Sequence, residues 1–151
     1  MKLILEINNK TPQKVVKKTF LSVFGRTLDL VSMDCLKDKT IELSVALVGE
    51  EEMHSLNLQY RKKDKATDVL SFSEYETTAL LCKQASTSDS EIFLGEIILC
   101  PNYIANNAHE DGEAFEYALN YIISHGILHL LGFPHGKKMF SLQRKVADML
   151  K

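Results

Sequence analysis

Tryptophan is absent, and the three prolines and seven glycines are scattered singly along the chain. No Pro-, Gly- or Ser-rich linker therefore divides it, and no internal repeat suggests an array. Cysteine is scarce: Cys35, Cys82 and Cys100 are odd in number, form no CxxC pair and stand far apart. This usage argues against a disulfide framework or a cysteine-ligated zinc, and leaves reduced intracellular thiols as the expectation. The opening MKLILEI is too short an apolar run for a secretory signal and gives way to Asn8, Asn9 and Lys10. The most apolar window, residues 118–133, is broken by Asn120, His125 and His129 and falls short of the ~20 residues a membrane span needs. Neither export nor a membrane partner is expected. Charge of one sign is lacking too: 18 Lys and Arg stand against 20 Asp and Glu, a net charge of −2. The molecule as a whole is not an electrostatic glue for nucleic acid, so any anion binding must be local.

What is present fits one folded unit over 1–151. The hydrophobic share is 45% and the charged share 25%, as in ordinary soluble domains of about 100–150 residues. Alternation or β-rich runs predict four strands, at residues 3–7, 41–48, 68–72 and 92–100. Thr11 followed by Pro12 reads as a capped helix start, with Val15, Val16, Phe20, Leu21 and Phe24 at helical spacing until Gly25. A second helix is predicted over 50–61. A third, over 113–131, is apolar all round, which makes it the central buried helix. The polar stretch 73–91 reads as a mobile loop. The class is α+β with α/β-like layers: a mixed four-stranded sheet packed with helices.

The run HGILHLLGFPH holds three of the five histidines. His125 and His129, four apart on the central helix, project from one face. Gly132 supplies the left-handed position that ends a helix, and three residues later His135 can return to the same point. Three imidazoles can hold Zn²⁺ at ~2.0–2.1 Å with a fourth position open, the pattern of a catalytic and not a closed zinc. Imidazole suits zinc best, with Ni²⁺ or another divalent ion as substitutes. Zinc peptidases of the metzincin kind share this spacing but carry a glutamate after the first histidine; here that position is Gly126. Such a glycine implies that something packs closely against its backbone.

This run is similar to the HGxLHLxGxxH signature of the YbeY-type endoribonucleases, the bacterial rRNA maturation factors. Two further segments resemble the family in order and spacing: RKKDKATDVLSFS, residues 61–73, its arginine and TDVLSF-type strand, and LGEIILC, residues 94–100, its LGD-type strand. The resemblance implies a single α/β domain holding one zinc per chain, in a cytoplasmic protein. It implies a zinc-dependent endoribonuclease cutting single-stranded RNA in rRNA processing and ribosome quality control, among small-subunit ribosomal components. No DNA partner is implied. His125, His129 and His135 carry over as ligands, and Arg61 as the arginine that meets phosphate. The chain departs from the family at Pro134, where an Asp is usual, and in the short segment between His135 and a helix over 139–143.

The chemistry of RNA cleavage assigns further roles. Arg61 offers a planar donor fork to phosphate oxygens, and Lys62, Lys63 and Lys65 form the densest basic run, an RNA-binding candidate. Glu96 is a candidate catalytic carboxylate, either orienting a ligand histidine or acting as base. Thr67, Asp68 and Ser71 can hydrogen-bond substrate, and Lys14, Lys17, Lys18 and Arg26 offer a second basic stripe. His54 and His109 are expected at the surface. With no RNP-type aromatic strand, sequence-specific base reading is not expected. Two rival readings are a non-catalytic ribosome assembly factor braced by its metal, and a zinc hydrolase of another substrate such as a peptide. Gly126 weighs against the second.

Overall fold

The computed structural model describes residues 1–87 and 90–151. Its elements are β1 (Lys2–Asn9), α1 (Lys17–Val31), a single 3-10 turn (Asp34–Leu36), β2 (Thr40–Leu47), α2 (Glu50–Arg61) and β3 (Val69–Ser73). There follow α3 (Thr78–Thr87), β4 (Glu91–Leu99), α4 (Pro101–Asp111), α5 (Phe115–Leu130) and α6 (Lys137–Met149). The strands form one sheet in the order β1-β2-β4-β3. β1, β2 and β4 are parallel, and β3 runs antiparallel to β4 at the edge. The four expected strands and the mixed α+β class are thus present.

Alternation sorts the two faces of the sheet. Ile41, Leu43, Val45 and Leu47 of β2 are buried and join Leu5, Ile97 and Leu99 in the main core with Phe20, Val23 and Phe24 of α1 and Ile123 and Ile127 of α5. A smaller cluster on the other side gathers Val48, Met53, Leu70, Ile98 and Cys100, closed by α2. α5 packs against α1, α4, α6, β3 and β4, which accounts for its all-round apolar sequence. No helix among the described residues is long and apolar enough to cross a membrane.

Several expectations are corrected. α1 begins at Lys17, not at Thr11 and Pro12. There the Asn9 side chain accepts from the Thr11 N–H at 2.9 Å and from its hydroxyl at 2.7 Å, a local turn that competes with helix. α1 also continues past Gly25 to Val31, because buried Thr27 and Leu28 prolong its core face. The stretch 73–91 is no plain loop: it contains α3, whose Leu81 and Ala85 are buried one turn apart. Ser/Thr-rich surroundings hide that stripe, and the Thr77 hydroxyl caps the helix by accepting from the Leu80 N–H at 3.1 Å. Residues 88 and 89 of that stretch lie outside the described residues. α4 is an additional helix, and the helix expected over 139–143 spans Lys137–Met149.

The cysteine expectation is corrected as well. Cys35 and Cys82 form a disulfide, their Cα atoms 5.4 Å apart across 47 residues of sequence. No local spacing could announce it, since the pair meets only because α3 packs on the 3-10 turn. Cys100 remains a buried free thiol.

Two glycines set the position of α5. A Cβ on Gly126 would lie 2.9 Å from Ile97 Cδ1, so β4 is the close neighbour its sequence implied. Gly132, at φ +88°, closes the helix as a Schellman turn: Phe133 N–H donates to Leu128 O and Gly132 N–H to His129 O, both at 3.0 Å. A Cβ there would come within 2.2 Å of the Thr78 nitrogen. Gly132→Ala therefore combines left-handed strain with a backbone clash, each worth about 1–3 kcal/mol. We expect a loss of about 2–5 kcal/mol in urea unfolding; a loss below about 1 kcal/mol would refute this account of the turn.

Candidate metal centre

His125 and His129 project from the last two turns of α5, their ring centroids 4.5 Å apart and their planes at 84°. The turn at Gly132 reverses the chain and brings His135 back. His129 Nε2 then lies 3.1 Å from His125 Nε2 and 2.9 Å from His135 Nε2. One ligand atom from each ring lies within 4.8 Å of the others. A tetrahedral zinc with bonds of ~2.0–2.1 Å spaces its nitrogens roughly 3.3 Å apart, close to both distances measured from His129 Nε2. This group can hold a metal ion.

Neighbouring elements brace the group. Thr78 Oγ1 donates to Leu131 O at 2.8 Å, and Ser73 Oγ adds a second donor at 3.2 Å to His129 O beside the Gly132 N–H, so side chains of neighbouring elements bind carbonyls at the end of α5. Gln143 of α6, only 1% exposed, places Oε1 3.0 Å from His125 Nδ1. The ring N–H at Nδ1 donates to that oxygen, leaving the Nε2 lone pair for a metal. Sequence reasoning missed Gln143. Its signal is a glutamine among Met139, Val146 and Ala147, all buried on the same face of α6.

Burial is the first cause that lowers both pKa values. His129 is pushed to about 4 by burial, then by the charges of His125, His135 and Arg61. For His125, burial is partly countered by the Gln143 hydrogen bond and by Asp68, while His135 and Arg61 push further down. Both rings are neutral at pH 7, the form a metal needs.

The histidines open into a cavity of about 900 Å³. Arg61, at the end of α2, lines it, as do Asp68, Ser71, Ser73, Glu76 and Phe133. Arg61, Asp68 and Ser71 thus line the same cavity as the histidines. Lys62, Lys63 and Lys65 are exposed in the turn after α2 and are not part of the cavity wall. Thr67 hydrogen-bonds Asp68 at 3.3 Å. His54 pairs with Asp64 at 2.6 Å on the surface, and His109 is exposed.

Glu96 is not brought to the site. β4 carries a one-residue bulge: Ile41 pairs with Ile92 but Leu43 with Gly95, so Glu96 pairs with Ser44 and not with the core-facing Val45. The added residue inverts the alternation beyond it. Ile97 then faces Gly126, while Glu96 turns to the opposite face and lines a groove with Glu6, Asn8 and Ser44. The same contact explains Gly126: Ile97 leaves no room for the glutamate that peptidases of this histidine spacing carry there.

Two outcomes test the centre. Gln143→Leu keeps the shape but removes the acceptor, and it should weaken metal binding about 10- to 100-fold in chelator competition with the fold intact; unchanged affinity would remove the positioning role. In metal-free protein, unfolded His129 takes up its proton near the ordinary ~6.5, whereas the folded ring does so only near 4. Between these values the unfolded state binds more protons, so stability should fall as the pH drops through that window. His129→Gln should flatten the slope of urea midpoint against pH; an unaltered slope would contradict the lowered pKa.

Comparison with known proteins agrees with this geometry. Residues 6–151 match the family model described as "Endoribonuclease YbeY". Curated proteins named endoribonuclease YbeY include one from Bacillus pumilus, 35% identical over 98% of this chain and 95% of its own length. One from Thermodesulfovibrio yellowstonii is 31% identical over 100% and 99%, and one from Lactobacillus acidophilus 35% identical over 87% and 80%. The solution structure of a Thermotoga maritima protein superposes with a TM-score of 0.60 at 29% identity, covering 96% of this chain and 87% of that one. With matches along nearly its whole length, the chain belongs to the endoribonuclease YbeY family.

Proposed function

We propose that this protein is a zinc-dependent endoribonuclease that cuts single-stranded RNA, acting in the cytoplasm on rRNA precursors and in ribosome quality control beside small-subunit components. The observation that carries the reading is the gathering of three histidine ligand atoms within 4.8 Å of one another beside a cavity that Arg61 also lines. The family of endoribonucleases to which the chain belongs supports it.

His125, His129 and His135 would hold the ion, which supplies positive charge at the phosphoryl group and a lowered pKa for water. The residues of the chain do the rest. Arg61 presents its guanidinium fork to the phosphate oxygens, neutralising charge that grows as the bond breaks. Lys62, Lys63 and Lys65, exposed just beyond it, draw the RNA backbone to the cleft despite the net charge of −2. The β3 edge adds backbone donors. Residues 70 and 72 point their N–H groups toward β4, as the flanking bonds Cys100 N–H to Asp68 O and Glu74 N–H to Leu94 O require. Those of Ser71 and Ser73 therefore point outward along the cavity wall.

The test is cleavage of a labelled rRNA fragment alongside metal analysis. His129→Ala should lose both metal and cleavage. Arg61→Ala should keep its fold and metal content while cleavage falls about 10²- to 10³-fold, as when one preorganised electrostatic donor is removed. Metal-loaded wild-type protein that leaves the fragment intact would sink the reading.

A further inference from the structure

The histidines belong to a longer row. Tyr117, Tyr121, His125 and His129 recur every four residues on α5, each about 6 Å further along the axis and about 40° further around it, so that neighbours in the row lie on adjoining faces. Beside the first two is a second cavity, of about 370 Å³, bounded by α4, α5 and α6. It shares the wall residue Asp68 with the histidine cavity. Ile104, Ala118 and Ile122 supply apolar lining.

The two tyrosines are held differently. Tyr117 donates its hydroxyl to Asp148 Oδ1 at 3.0 Å, and the Lys151 ammonium lies 5.4 Å from its ring centroid. Tyr121 has no side-chain hydrogen bond or ring contact among the described residues. The charged lining is mostly acidic: Asp68, Asp111 and Glu113 face one cation, Arg144, and Asn107 adds a neutral amide. Three carboxylates repel a phosphate, and they accept hydrogen bonds from neutral N–H donors. A flat, neutral ring with an amino group satisfies both the aromatic and the acidic sides.

We propose that this cavity is a nucleobase subsite of the RNA substrate. It takes a base with an exocyclic amino group, from a nucleotide adjoining the one whose phosphate lies at the histidines. The base stacks on Tyr121 and its amine donates to Asp111. This rests on the RNA-cleaving function proposed above. It adds a stacking surface that no aromatic strand motif announces, since the tyrosines become a cavity wall only when α4 and α6 close over α5.

Fluorescence anisotropy on metal-loaded protein provides the test, using three single-stranded hexamers with cleavage-resistant 2′-O-methyl phosphorothioate backbones: cytidine, uridine and abasic. Stacking of one base amounts to about a 5- to 150-fold change in affinity. Wild-type protein should favour the cytidine over the abasic hexamer by that factor. Tyr121→Ala should remove most of the preference without changing abasic binding, Tyr121→Phe should keep it, and Asp111→Asn should bring cytidine and uridine closer together. Equal affinity of wild-type protein for cytidine and abasic hexamers, while it still cleaves the rRNA fragment, overturns the subsite alone, whatever the variants do. Protein that neither binds the hexamers nor cleaves the fragment overturns the nuclease function and the subsite with it.

Discussion

α5 rests on the sheet at the one residue that has no side chain to hold it away. Ile97 of β4 occupies the space a Cβ on Gly126 would need, and this contact sets both the height of the helix and its rotation about its axis. A glycine inside a helix costs about 1 kcal/mol relative to alanine. Close packing against a buried isoleucine is the compensating gain. Rotation is what matters for the site: it decides that His125 and His129 face the cavity and not the core. The Schellman turn at Gly132, seated against Thr77 and Thr78, then aims the chain so that His135 completes the group.

Electrostatics follows from this burial. Imidazolium is penalised where the rings are partly removed from water, so His129 stays neutral far below pH 7, and protons compete little for the nitrogens a metal uses. Gln143 gives His125 a neutral acceptor where a carboxylate would have favoured the charged ring. Arg61 adds to the same effect while facing the cavity. Arg61 and the exposed Lys62, Lys63 and Lys65 thus gather positive charge at the end of α2, in a chain otherwise balanced in charge.

The rim of the site is held from a distance. α3 touches the end of α5 through Thr78 and is tied by Cys82 to Cys35 before β2. A segment of polar appearance therefore has a buried face, a covalent tie and a hydrogen bond to the carbonyl of Leu131. The histidine row extends the site in the other direction, toward Tyr121 and Tyr117, so α5 is the common wall of two adjoining cavities.

The residue pattern by itself determined the four strands, α2, the central helix and the histidine group, because each depends on periodicities of two or four residues and on one turn glycine that local backbone geometry dictates. Arg61 came from the resemblance over residues 61–73 and not from local periodicity; the fold stands it at the end of α2, on the wall of the histidine cavity. Tertiary structure alone decided the rest. The β4 bulge turned Glu96 away, since one added residue inverts every later side chain and no propensity encodes it. Cys35 met Cys82, and Gln143 met His125, through packing between elements remote in sequence. Such pairings follow from which surfaces are buried against each other, a property of the whole chain that no short window of residues contains.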